Sequence, residues 1–107
     1  MSESRLEALR RFLEEDPNDS FTRYALAMEY VSMNDIASAT HQLQMLLGED
    51  PEYVPAYHQL GIIFSRSKRR AESKKLFLDG IEAATRTGDT HARQEMQEAL
   101  DELEDEL

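Results

Sequence analysis

Leu26-Ala27-Met28-Glu29-Tyr30 returns 34 residues later as Leu60-Gly61-Ile62-Ile63-Phe64. The register holds outward from that stretch. When Ser20–Tyr53 is laid on Val54–Thr87, Ala37 meets Ala71, Ala39 meets Ser73, Leu43 meets Phe77 and Leu47 meets Ile81. A repeat of this length holding two helix-period patterns marks stacked helical hairpins, each burying a face against its neighbour. Such stacks bind other proteins far more often than they perform chemistry, so a class of function follows but no partner.

The flanks complete the pattern. Ser4-Arg5-Leu6-Glu7 has capping-box spacing, and Leu6, Leu9 and Leu13 form one apolar stripe with Phe12 alongside. Asp16-Pro17 ends that helix, because the residue before proline leaves helical geometry. A second helix is predicted from Ser20 to Met33, closed by Asn34 in the left-handed conformation. Asp35 caps a third helix that reaches Leu47 and stops at Gly48. Pro55 suits the first turn of a fourth, which fades over 65–69. A fifth covers 70–86 and closes at Gly88, and a sixth runs from Thr90 towards Leu107. No segment alternates with period two, so strands are not expected. Short connections make consecutive helices antiparallel.

The chain has 107 residues, one domain by the usual prior, and no cysteine, which excludes disulfides, thiolate metal sites and thiol nucleophiles. Nothing near Met1 resembles a signal peptide, so none is expected, and the apolar runs fall far short of a membrane span of about 20 residues. A cytoplasmic location is expected. Net charge is −10 but uneven: residues 54–87 carry 7 basic and 3 acidic groups, whereas 88–107 carry 1 and 8. So acidic a chain is repelled by nucleic acid and anionic membrane, and neither is expected as a partner.

These residues resemble the tetratricopeptide repeat family. Leu26, Ala27, Tyr30, Ala39, Leu43 and Pro51 match its pattern in one repeat, and Tyr57, Leu60, Gly61, Phe64, Ser73 and Phe77 in the next. The resemblance implies an all-α fold, a short right-handed solenoid of antiparallel hairpins with about six helices. It divides 1–107 into a half-repeat helix (1–19), two repeats (20–53 and 54–87) and a capping helix (88–107). Arg23 departs from the pattern where an aromatic is usual, as do Leu46 and Gly80 in place of alanine and Thr85 in place of a closing proline.

Each first helix carries a second apolar stripe: Phe21, Tyr24, Met28 and Val31, then His58, Ile62 and Ser65. A helix needs one stripe to pack on its hairpin mate, so the second meets a neighbouring hairpin or lines a groove. The resemblance implies a concave, peptide-binding surface, with Phe21, Tyr24, Met28, Val31, His58 and Ile62 facing it and Arg93 and Gln97 next in line. A protein or peptide partner is therefore expected, and no cofactor or metal. One subgroup of the family grips chaperone-tail carboxylates with Lys, Asn and Arg. Tyr24, Met28, Gln59 and His58 stand at those sites, so that ligand is not expected.

Two other candidates are electrostatic. Arg66, Lys68, Arg69 and Arg70, followed by Lys74 and Lys75, form an anion-binding turn for an acidic or phosphoryl ligand, or a solvated turn held by Glu72 or the acidic last helix. Met96, Leu100, Leu103 and Leu107 form an apolar stripe that either caps the stack or pairs with a second copy, giving a monomer or a weak homodimer. His41, His58 and His91 have no metal or catalytic spacing and the four glycines are isolated, so no enzyme is expected.

Overall fold

Six helices and no strand occur among the described residues of the computed structural model, which are 2–106, and 81% of those residues are helical. Leu107, the last member of the stripe read in the final helix, lies outside them, as does Met1. The helices are α1 (Arg5–Glu15), α2 (Ser20–Ser32), α3 (Ile36–Glu49), α4 (Val54–Arg66), α5 (Arg70–Thr87) and α6 (Thr90–Asp105). Ser4 caps α1 as its spacing implies, its hydroxyl accepting from the Glu7 amide at 3.1 Å. Asp35 caps α3 through the Ser38 amide at 3.2 Å. Asp19 and Asp89 cap α2 and α6 in the same way.

Gly48 does not stop α3. The helix continues through it to Glu49, because the break comes from Pro51, which holds Asp50 at φ −137° and ψ 78°. Asn34 is left-handed at φ 60°, as expected, and its repeat partner Lys68 shares the conformation at φ 62°. A lysine there is strained, since its Cβ crowds the following carbonyl.

The helices form two compact units, one ending at Asp50 and the other beginning at Pro51. In the first, α2 packs on both α1 and α3. Leu26, Tyr30 and Ala39 make a core that Leu6, Leu9, Leu13 and Val31 cover. Arg10 of α1 donates to the Tyr30 hydroxyl from Nε (3.2 Å) and Nη2 (2.5 Å), and Arg5 pairs with Glu29 at 3.2 Å. Ser20 donates to Asp50 at 2.6 Å, tying the start of α2 to the end of α3.

In the second unit, α5 packs on both α4 and α6, and α4 also meets α6. Two glycines set these approaches. A Cβ on Gly61 would lie 2.5 Å from the Phe77 ring, and one on Gly80 would lie 2.5 Å from the Met96 sulfur and 2.7 Å from Tyr57 Cβ. The α5 backbone therefore admits α6 at Gly80. Met96, Leu100 and Leu103 are buried, and burying each such side chain stabilises by about 1.5–3 kcal/mol.

Candidate functional site

The candidate residues of the first unit fall into three environments. Phe21, in the first turn of α2, is 71% exposed, the most exposed large apolar side chain among the described residues. Tyr24 and Met28 are half-buried one and two turns on. Val31 is drawn into the core that α2 shares with α1, which leaves it little free surface. The first two turns of α2 are thus the open part of that stripe.

In the second unit, Ile62 lines a depression with Ser65 and Arg66 from α4, Phe77 from α5, and Ala99, Glu102, Leu103 and Glu106 at the end of α6. His58 lies one turn before Ile62, half-buried, its ring edge-on to Phe77 at 6.2 Å between centroids and 73° between planes. Arg93 and Gln97 do not join this depression. They line a separate one with Ile81, Thr90, Gln94 and Glu98, between α5 and α6. Phe77 and Leu103 escaped notice as site residues because both positions read as core.

Most of the basic turn is already engaged. Arg69 donates twice to Glu72, from Nε at 2.8 Å and Nη2 at 2.5 Å, and its guanidinium sits 4.3 Å from the Phe64 ring centroid. That hydrogen bonding holds the Glu72 carboxyl below its ordinary value and raises Arg69 further. Arg70 donates to the Leu103 carbonyl and lies 3.9 Å from Glu106. Lys74 reaches Glu104 at 3.7 Å and Lys75 reaches Asp79 at 2.8 Å, which raises the lysine. Among the described residues, Arg66 and Lys68 have no ion-pair partner. Both remain exposed. No group of three or more described His, Asp or Glu side chains is arranged to hold a metal ion. Among the described residues, no helix is long and apolar enough to cross a membrane.

No family model matches the chain, and no curated protein does. Solved structures do. A tetratricopeptide repeat domain protein from Salinibacter ruber, solved in solution, is 35% identical over 83% of this chain and 90% of its own, with a TM-score of 0.79. The chain belongs to the tetratricopeptide repeat family. A crystal structure of a tetratricopeptide repeat domain protein from the same organism agrees: 34% identity, 80% of this chain, 97% of that one, TM-score 0.78. A protein from Bordetella parapertussis is 26% identical over 98% of this chain and 91% of its own, with a TM-score of 0.82.

The departures from the tetratricopeptide pattern now have structural reasons. Arg23, repeat partner of Tyr57, is buried at 7% exposure and donates to the Pro17 carbonyl at 3.1 Å and to Gln42 at 2.8 Å. Tyr57 donates to the Pro51 carbonyl at 2.7 Å. The two donors and the two prolines each stand 34 residues apart, so the arginine keeps the hydrogen bond that Tyr57 makes in the next repeat while losing the ring. With Thr85 in place of proline, α5 runs on to Thr87, 18 residues against 14 for α3, and ends at left-handed Gly88. The family is a helical-repeat scaffold for protein interaction.

Proposed function

We propose that this tetratricopeptide protein is a non-enzymatic adaptor, that residues 1–107 act as one domain, and that it binds a partner peptide or helix on the open faces of its first helices. The observation that carries this is the α4–α6 depression. Ile62 and Ala99, both half-buried, give it apolar surface over the buried Phe77 and Leu103, beside the polar Ser65, Arg66, Glu102 and Glu106. The open turns of α2, with Phe21, Tyr24 and Met28, supply a second contact surface of the same amphipathic kind. In this reading Val31 supports the α2 surface from behind, while Arg93 and Gln97 keep to their own depression between α5 and α6.

The capping role for α6 is favoured over a seam between two copies. Met96, Leu100 and Leu103 are buried within the chain's own second unit, which leaves that stripe without an apolar face to share. An anion-binding turn is left with Arg66 and Lys68 alone, since its other cations already have carboxylate or carbonyl partners.

The combined substitution Tyr24→Ala/Met28→Ala tests the adaptor reading. Capture of a native partner should fall at least about tenfold while the thermal melt shifts by only a few degrees. A collapse of the melt would place these side chains in the core, an unchanged capture would show that the partner does not touch them, and either sinks the proposal.

A further inference from the structure

We infer that the α4–α6 depression takes a cationic amphipathic segment of a partner protein, an apolar side chain seated over Ile62 and Ala99 with a lysine or arginine beside it at Glu102. The inference rests on the adaptor reading and gives its ligand a charge.

Two helix ends set the sign. Ile62, Ser65 and Arg66 belong to the last turn and a half of α4, and Glu102, Leu103 and Glu106 to the end of α6. Both helices therefore present their C-terminal ends, the negative poles of their dipoles, to one depression. Two carboxylates add to that field and one cation subtracts from it. Arg66 is attached to α4 itself and offsets a single charge. Glu106 approaches Arg70 only at 3.9 Å with its side chain 62% exposed, a contact that solvent largely screens. Glu102 is exposed and has no ion-pair partner among the described residues.

Most of the neighbouring cations are already engaged: Arg69 is bound to Glu72 and stacked on Phe64, Arg70 donates to the Leu103 carbonyl, Lys74 faces Glu104 and Lys75 faces Asp79, which leaves Lys68 exposed to offset one charge more. Residues 95–106 carry seven carboxylates and no cation, and the whole chain carries −10. A positively charged segment is steered to this wall, and an acidic one is repelled along its whole approach. The apolar floor then retains what the field collects. A bare cation would leave Ile62 and Ala99 uncovered, and an uncharged apolar segment would leave Glu102 unanswered.

The test is selection from a random twelve-residue peptide library displayed on phage and panned against the full chain. The enriched pool should be net positive, with an apolar residue within four positions of a lysine or arginine. A synthetic copy of the strongest binder, followed by fluorescence anisotropy, should lose about tenfold or more in affinity to Glu102→Lys. Glu14→Lys on α1 shifts the net charge by the same two units and should change affinity less than about twofold, which separates a site from a diffuse field. Both glutamates are exposed, so both variants should melt like the parent. An enriched pool that is neutral or acidic overturns the inference and leaves the adaptor standing. The same holds for equal losses in the two variants, or for binders lost only in Tyr24→Ala/Met28→Ala. No enrichment over an uncoated surface sinks the inference and the adaptor reading together.

Discussion

The two repeats solve one packing problem with opposite distributions of volume. In the first, Ala27 faces Leu43 in the repeat register; in the second, Gly61 takes the alanine's place and Phe77 the leucine's. The larger ring fits because the glycine withdraws, and Ser73, buried where the first repeat has Ala39, donates to the Gly61 carbonyl at 2.7 Å. The exchange recurs one turn on. Leu46 is fully buried in the first repeat, whereas Gly80 yields its space in the second to Met96 of α6. The repeat thus preserves a total of volume and a set of backbone hydrogen bonds rather than any single side chain.

Breaking that compensation should give the largest effect. Gly61→Ala puts a methyl group into the Phe77 ring and should destabilise by about 1–3 kcal/mol. Adding Phe77→Leu, which copies the first repeat, should recover most of the loss in chemical denaturation. If the double variant is no better than the single, the volumes are not coupled.

Next is the pair Arg23 and Tyr57. Arg23→Ala removes both hydrogen bonds of a buried guanidinium, to the carbonyl of exposed Pro17 and to half-buried Gln42, at a cost of about 1–3 kcal/mol. Arg23→Tyr should cost less than the alanine, because it restores the hydroxyl that Tyr57 aims at Pro51. Equal melting midpoints for the two variants would show that the carbonyl bond is not what the position supplies.

A smaller effect, of opposite sign, is expected at the turn. Lys68→Asn copies Asn34 and relieves a left-handed lysine, for a gain of up to about 1 kcal/mol read as a raised denaturation midpoint. The least expected change concerns the start of the second helix of each repeat. Where α3 has the Asp35 cap, α5 has Arg69, which pairs with Glu72 instead. The Glu72 carboxyl titrates below its ordinary range because Arg69 donates to it. Its small stabilisation is therefore present above the ordinary carboxylate range and lost as pH falls through the lowered value. In Arg69→Ala, carboxyl titration by NMR should return Glu72 towards the ordinary value. An unmoved titration would mean that the pair does not persist in solution.

Helix positions were legible because each depends on neighbours within a turn or two: hydroxyl and carboxylate caps, prolines and one left-handed glycine. Gly48 misled because glycine permits a helix to end without requiring it, and Pro51 three residues on made the actual break. Arg23 looked like a defect, since nothing local says that its guanidinium reaches the proline carbonyl six residues back. The candidate site was legible only in part. Ile62 lines the depression as a first-helix residue should, but Phe77, Leu103 and Glu102 join it from α5 and α6, and no periodicity along one helix can announce that.

By itself the sequence determined that this chain is a row of helices in hairpins, because helix formation, capping and a 34-residue period are local or nearly so. Tertiary structure alone decided which of its many charges remain available. Arg69, Arg70, Lys74 and Lys75 are equal to Arg66 and Lys68 on paper, and become unequal only when folding carries Glu72, the Leu103 carbonyl, Glu104 and Asp79 to within reach. Composition counts charges, but pairing depends on distance, and distance between helices is set by packed volume.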